Sequence, residues 1–355
     1  MKQIAHIVSS LNVGGAEKFV KNVAIEQVKK GDCVIVISFG KPTDDFQSII
    51  EKNGIEVYNL TGGILSRFIQ FIGFIANVRI VHIHSPAVIR ALLPIFPFLL
   101  IKKVIYTIHG EVDPPQSLLR LSHQVARCYL DQIVAVSHSS KNSVEERYGW
   151  NVNQVNVIKN GVNIVSEKTI VNNVGGEQRS IRLGIVSRLI QLKNIPLLFE
   201  AIILLPKELI ALLSIEVFGD GPERQPLEAL STKLGLNDKI TFYGNVIDEN
   251  TIYSSFDTLV MCSNTEGLPM SILEAMGFGL PVISTNVGAI SQVISHEKTG
   301  WLYDVNDLQA LKSILVDVLS NTDKLKAVGV NAKKFIDDNY AISAVAQDYN
   351  KVYEN

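Results

Sequence analysis

Only three cysteines occur in this 355-residue chain, and Cys33, Cys128 and Cys262 stand far apart. They make no C-x-x-C pair and no disulfide framework, so reduced cytosolic thiols are the simple reading. Long hydrophobic runs are also missing. A membrane-spanning helix needs roughly 18 apolar residues, and none of that length is present. The nearest stretch, 91–101, is broken by Pro94 and Pro97 and flanked by Arg90, Lys102 and Lys103. A second apolar stretch, 64–78, has Arg67 and Arg79 near its ends. Either is a buried helix, or an interfacial surface whose basic flanks favour anionic headgroups. The opening residues, Met1 to Val8, are interrupted too soon for a signal peptide and read as a first β-strand.

What is present points to a globular protein. Hydrophobic residues make up 47% and charged residues 19%. The length predicts two domains, each able to bury its own core. The net charge of −2 hides an asymmetry: residues 1–163 carry +5 and residues 164–355 carry −7. A mildly basic front half suits an anionic acceptor or an anionic lipid surface, although two unrelated domains can differ this much by chance. No nucleic-acid partner is expected.

Short β-branched runs alternate with amphipathic stretches, the pattern of βα units on a parallel sheet. Strands are expected at 4–9, 33–38, 80–84, 104–108, 133–136 and 155–158, with helices at 16–30, 86–100, 116–130 and 140–148. Asn172-Asn173 and Gly175-Gly176 mark a linker over 164–180. A second series follows, with strands at 182–186, 214–218, 240–243, 258–262 and 281–285, and helices at 195–205, 221–234, 250–255 and 269–277. The expected domains are thus 1–163 and 181–335, with a C-terminal helix over 336–355 packing back on the first. Open α/β sheets bind ligands beyond the carboxyl ends of their strands, so residues just after strands are the candidates.

The densest of these segments reads CSNTEGLPMSILEAMGFGLPVISTNVGA over 262–289. A strand ends in a loop holding Glu266 and Gly267; Pro269 suits a first helical turn, and Gly277 and Gly279 end the helix. Unpaired N–H groups and the dipole make such a helix start an anion site, and a diphosphate is the obvious ligand. Glu266 lies before the helix and Glu274 about a turn and a half inside it, so the two would grip different parts of one ligand.

This segment resembles the C-terminal signature of the retaining glycosyltransferases of family 4, which have the GT-B fold. That family carries two glutamates separated by seven residues, the first followed by Gly-(Phe/Leu)-Pro; Glu266, Gly267, Leu268, Pro269 and Glu274 match. The resemblance covers essentially the whole chain. It implies two Rossmann-like, doubly wound α/β domains facing across a cleft. It places Glu266 on the donor sugar near the reacting carbon, Glu274 on the nucleotide ribose, and the backbone amides of Leu268, Met270 and Ser271 on the sugar and phosphates.

Other segments fit. Arg188 and Lys193 follow a strand, and two cations so spaced can flank a diphosphate. By resemblance they grip the donor phosphates and neutralise the leaving group; Asn194 stands where a glycine is common. Gly219-Asp220-Gly221-Pro222 resembles the family's G-x-G-P segment, and Tyr243 fits a loop near the base. In the front half, Gly14-Gly15-Ala16-Glu17 opens a helix, which permits close approach to phosphate but is not the G-x-G-x-x-G of dinucleotide binding. The resemblance puts Gly15 near donor phosphate or acceptor and His109, in His109-Gly110-Glu111, on the donor sugar. His82 and His84 share one strand face, but no third metal ligand is evident, and they read as structural or acceptor-side. Asn163 replaces the family's usual Asp.

There is no D-x-D to seat a metal on the diphosphate; Arg188, Lys193 and the helix start would supply that charge, so neither metal nor cofactor is expected. The expected activity is transfer of a hexosyl or N-acetylhexosaminyl group from a nucleotide sugar, a UDP-sugar first, with retention. The expected acceptor is a saccharide on a polyprenyl diphosphate, met at the inner face of the cell membrane during O-antigen or capsule assembly. Two alternatives share the donor site: a GT-B-like UDP-sugar epimerase, and a silent sugar-nucleotide-binding subunit.

Overall fold

The structure is a computed structural model that describes residues 1–109, 117–164 and 180–354. Gly110, Glu111 and nearly all of the linker read over 164–180 lie outside the described residues. The chain forms two units, Met1–Gly161 with Ile342–Asn355, and Val162–Ala341.

In the first unit β1 (Gln3–Val8), α1 (Gly15–Lys29), β2 (Cys33–Ser38), α2 (Gln47–Lys52), β3 (Glu56–Asn59), α3 (Ile64–Ile75), β4 (Ile80–Ile83), α4 (Pro86–Leu92), β5 (Lys103–Ile108), α5 (Ser117–Arg127), β6 (Gln132–Ala135), α6 (His138–Tyr148) and β7 (Val155–Val157) follow one another. Their strands make one parallel sheet in the order β3-β2-β1-β4-β5-β6-β7. In the second unit come β8 (Ile181–Val186), α7 (Pro196–Ile203), α8 (Lys207–Ala211), β9 (Leu213–Phe218), α9 (Arg224–Lys233), β10 (Ile240–Gly244), α10 (Glu249–Tyr253), β11 (Thr258–Met261), α11 (Met270–Gly277), β12 (Val282–Thr285), β13 (Gly300–Tyr303), α12 (Leu308–Ser320) and α13 (Thr322–Asn339). Its sheet is also parallel, in the order β10-β9-β8-β11-β12-β13. The last helix, α14 (Ile342–Glu354), belongs to the first unit.

Parallel sheets with βα crossovers bury both faces, and the strands are apolar on both sides accordingly. One exception matters. In the first sheet Ala5, Ile7, Val81, Ile83, Tyr106 and Ile108 join an apolar core. The residues alternating with them include His6, His82, His84 and Thr107, all buried. That second face lies under α1 and α14.

Three expectations are corrected. The helix expected over 86–100 stops at Leu92 and continues as a 3-10 helix, Leu93–Leu99, because Pro94 and Pro97 cannot donate to an α-helical ladder. The strands β3 and β13 were not anticipated. The chain leaves the first unit at Gly161 rather than 163 and rejoins it at Ile342 rather than 336. Gly161 is fixed there by close packing, since a Cβ on it would lie 2.7 Å from Val345. The last turns of α13 stay with the second unit, where Ile336 and Tyr340 share a core with α11.

No described helix is long and apolar enough to cross a membrane. Nor is α3 a buried helix. Phe71 and Ile75 point inward, while Ile64, Leu65 and Ile69 are exposed.

Candidate active site

In both sheets the strand order reverses once, between β1 and β4 and between β8 and β11. At such a switch point the flanking loops diverge and leave a crevice beyond the strand ends. Of the expected site residues, Gly14 and Gly15 follow β1, Arg188 and Lys193 follow β8, and the run from Glu266 to Glu274 follows β11, while Gly219 and Gly221 follow β9 and His109 follows β5.

In the second unit, Arg188 and Lys193 occupy the loop after β8. Arg188 is exposed and makes no ion pair among the described residues. Lys193 is ion-paired with Glu266 from the loop after β11; the two side chains are only 18% and 12% exposed. The loops are joined again where the Asn264 amide donates to the Leu192 carbonyl at 2.9 Å. Asn194 takes a left-handed conformation with φ 47°. Glycine and asparagine are the residues that tolerate this, which accounts for the expected glycine and its substitute.

Gly219 and Gly221 are needed for closeness of another kind. Gly219 has φ 122°, and a Cβ on it would lie 1.9 Å from the Ser187 carbonyl oxygen; at Gly221 the Leu189 carbonyl oxygen would be 2.3 Å away. They let the β9 loop lie directly against the backbone of the Arg188 loop, where the Leu189 amide donates to Asp220 at 2.9 Å. Gly288, not anticipated as a site residue, does the same for the other loop. With φ 57°, its Cβ would lie 1.9 Å from the Glu266 carbonyl oxygen.

Pro269 is the N-cap of α11 rather than its first residue, so Gly267 and Leu268 lie in the loop and Met270 and Ser271 open the helix. First-turn N–H groups have no acceptor within the helix. The first of them, on Met270, comes four residues after Glu266, so the helix start and the ion pair adjoin in sequence. Glu274 is not a solvated helix residue: it is 4% exposed and accepts a hydrogen bond from Tyr253. Tyr253, which arrives from α10, was not singled out in the sequence. Tyr243 stacks flat on Phe218, ring centroids 4.6 Å apart, and donates to Glu216.

In the first unit Gly14 is the N-cap of α1 and Gly15 its first residue. The loop before them is held by acids the sequence did not single out: Asp44 accepts from the Leu11 amide at 2.8 Å and Asp45 from the Val13 amide at 2.9 Å. One turn into α1, Phe19 packs on His109, ring centroids 5.0 Å apart.

His109 ends a row of imidazoles. His109 Nε2 is 2.9 Å from His84 Nδ1, and His84 Nε2 is 2.9 Å from His6 Nδ1. His6 Nε2 meets Gln27 Oε1 at 2.8 Å, and Gln27 donates to Tyr353 at 3.1 Å. Tyr353 lies 2.8 Å from His82 Nδ1, and His82 Nε2 lies 2.7 Å from the Thr107 hydroxyl. Burial lowers His6 to about 4 and His109 to about 3, and drives His82 and His84 well below their ordinary value. His6 is the third imidazole missing from the sequence reading. With His82 and His84 it brings three nitrogens within 4.8 Å of one another, a spacing that suits one ion. All six ring nitrogens of that trio are nevertheless engaged in the hydrogen bonds above.

Two family models match the chain: "Glycosyltransferase Family 4" over residues 13–165 and "Glycosyl transferases group 1" over 167–335. An uncharacterized glycosyltransferase of Haemophilus influenzae is 24% identical over 98% of this chain and 99% of its own length. A Campylobacter jejuni enzyme is 26% identical over 99% of this chain and 98% of its own; its name gives it as an α-1,4-N-acetyl-D-galactosaminyltransferase acting on a diNAcBac-PP-undecaprenol-linked saccharide. Anabaena HepE, solved with UDP and glucose, superposes with a TM-score of 0.85 at 20% identity, covering 100% of both chains. Another HepE structure holds UDP-glucose.

Two outcomes follow. Gly219→Ala puts a Cβ into the Ser187 carbonyl at a positive φ, so it should cost more than about 1 kcal/mol and displace the Arg188 loop. Calorimetry should show a lower melting temperature for the second unit and isothermal titration a weaker nucleoside diphosphate. The buried histidines set a pH dependence for the first unit. Their folded values lie below the ordinary 6.5, so the unfolded chain takes up protons first. Stability should be level above about pH 7 and fall as pH drops from 6.5 toward 4. Melting temperatures across that range check this; a flat profile contradicts it.

Proposed function

Since the chain belongs to the family 4 glycosyltransferases of the GT-B fold, we propose that it moves a hexosyl or N-acetylhexosaminyl group from a UDP-sugar to a lipid-linked saccharide, with retention at the anomeric carbon. One observation carries the donor half: the Lys193–Glu266 pair stands next to the N-terminus of α11, and Arg188, without an ion pair among the described residues, shares the loop of Lys193. The UDP and UDP-glucose held by HepE support the choice of nucleotide. The undecaprenol-linked substrate in the Campylobacter relative's name supports the acceptor.

The donor's diphosphate takes Lys193 from Glu266 and adds Arg188 and the first-turn amides of α11. Glu266, freed from its ion pair, turns to the sugar, and Glu274, anchored by Tyr253, holds the ribose. A double displacement needs a second carboxylate flanking the bond. Glu274 is buried against Tyr253 and does not serve. The acceptor hydroxyl therefore attacks from the side the phosphate leaves, with the phosphate as base and the two cations stabilising its charge. The same cations take the place of a divalent metal, so transfer persists in EDTA.

The acceptor's membrane accounts for the outer surface of the first unit. Ile64, Leu65 and Ile69 on α3 are 89%, 72% and 64% exposed, and Phe98, Leu100 and Ile101 after α4 are 58%, 69% and 87% exposed. Phe68 and Phe98 meet edge to face at 5.8 Å and join the two segments into one patch. Arg67, Arg79 and Arg90 are exposed on these same elements or next to them. Apolar side chains rimmed by cations fit an anionic lipid surface, and the protein docks there peripherally at the cytoplasmic face.

A donor panel scored by release of nucleoside diphosphate, with polyprenyl-diphosphate saccharides present, tests the activity. Glu266→Ala and Arg188→Ala should each lower turnover roughly hundredfold or more, the scale of losing one preorganised charge-stabilising group, with little change in melting temperature. The product linkage, read by NMR, should keep the donor's anomeric configuration. Full activity in both variants would overturn the assignment, and epimerised donor without transfer would favour an epimerase. For the membrane, Leu65→Asp with Ile69→Asp should abolish co-sedimentation with phosphatidylglycerol vesicles but leave transfer to a soluble acceptor intact. Equal sedimentation of variant and parent would exclude this patch.

A further inference from the structure

The row of imidazoles has a direction, and one amide fixes it. We propose that Gln27, acting through His6 and His84, holds His109 as the Nε2–H tautomer and so presents His109 Nδ1 as a hydrogen-bond acceptor for a hydroxyl of the donor sugar. The sugar half of this rests on the function proposed above; the tautomer half does not.

A neutral imidazole has one N–H and one bare nitrogen. Burial keeps all four histidines neutral. Each nitrogen-to-nitrogen contact then needs one donor and one acceptor, so a choice made at one end propagates to the other. Gln27 Oε1 can only accept, so the His6 proton is on Nε2. His6 Nδ1 is bare and accepts from His84 Nε2. His84 Nδ1 is bare in turn and accepts from His109 Nε2. His109 Nδ1 is left bare, and it is buried without a hydrogen-bond partner among the described residues.

The other arm agrees. The Gln27 amide nitrogen donates to Tyr353, whose hydroxyl donates to His82 Nδ1, and His82 Nε2 donates to Thr107. All four imidazoles therefore carry the proton on Nε2. Turning the Gln27 amide over would reverse both arms together and leave His109 with a buried N–H and no acceptor. Orphaned buried N–H donors are rarer in folded proteins than under-used acceptors.

His109 stands just past β5, at the sheet end where open parallel sheets take ligands. A bare nitrogen accepts from a hydroxyl and repels another acceptor, so the tautomer orients the sugar. Gln27, His6 and His84 do not touch the sugar; they are positioning residues.

Long-range proton–nitrogen correlation on the 15N-histidine-labelled full chain reads each tautomer directly, with peaks assigned by His→Asn substitutions. The parent should show Nε2–H at His6, His82, His84 and His109. Gln27→Met keeps the length and removes the acceptor; His109 should become a mixture of tautomers. The donor KM should rise about tenfold, the worth of one well-placed hydrogen bond, with kcat changed less. Tyr353→Phe breaks only the other arm, so it should lower the melting temperature and leave His109 unmoved. Nδ1–H at His109 in the parent overturns the proposal and needs no variant to fold. So does a Gln27→Met protein that melts lower with His109 unchanged, or a Tyr353→Phe protein whose His109 shifts as much. The stated pattern in a protein that turns over no donor counts against the proposed function and not against the tautomer lock.

Discussion

The second unit's site depends on three places where backbone touches backbone with no side chain between. Gly219 and Gly221 let the loop after β9 rest on the carbonyls of Ser187 and Leu189, and Gly288 does the same beneath Glu266. All three have positive φ, so even alanine would be strained there as well as crowded. The consequence is positional. Arg188 sits between the two carbonyls that the first pair supports, and Glu266 carries the carbonyl that Gly288 supports. Glycines that read as room for a ligand act first as seats for the charged residues that would meet one.

Those seats bring Lys193 and Glu266 together. The pair is neither surface nor core: each side chain retains some solvent, so the desolvation cost is moderate and so is the attraction. Its value is compensation. Without a ligand, a half-buried cation and a half-buried carboxylate satisfy one another. In the proposed reaction an arriving diphosphate would offer Lys193 more negative charge and release the carboxylate toward the sugar. The proposed site would thus exchange one pairing for two, with neither charge left bare at either stage. Arg188, exposed and without an ion pair among the described residues, would give up no partner in that exchange.

How much of this the sequence disclosed depends on distance along the chain. The run from Glu266 to Glu274 and the Arg188–Lys193 spacing were readable because each lies within one loop or loop-helix junction. The fold class was readable because apolar runs kept alternating with amphipathic ones. The strands β3 and β13 escaped because neither EVYN nor GWLY is a β-branched run, and Pro94 and Pro97 should have ended the expected helix. What was invisible was the register between distant strands. His6 and His84 lie 78 residues apart and Gln27 and Tyr353 lie 326 apart. Only the pairing of β1 with β4, His6 opposite His82, and the return of α14 bring them into one row. For α3 the sequence left two readings open, a buried helix or an interfacial surface, and only packing shows which side lacks a partner.

The two units answer different electrostatic demands, and their chemistry differs accordingly. A departing diphosphate carries charge, so it calls for cations, and cations persist only where some water or an opposite charge remains; the second unit keeps its Arg and Lys on half-open loops. A hexose is uncharged and is distinguished by the direction of its hydroxyls. A buried cation beside it would be costly and would not tell a donor from an acceptor. Neutral imidazoles do tell them apart, provided the proton's place is fixed. Burial supplies the neutrality at His109, His84 and His6, and in the proposed arrangement a single amide supplies the direction. The polar row inside the first unit is then the counterpart of the ion pair in the second. One orders hydrogen bonds without charge, the other manages charge, and each is built at the point where its sheet reverses its strand order.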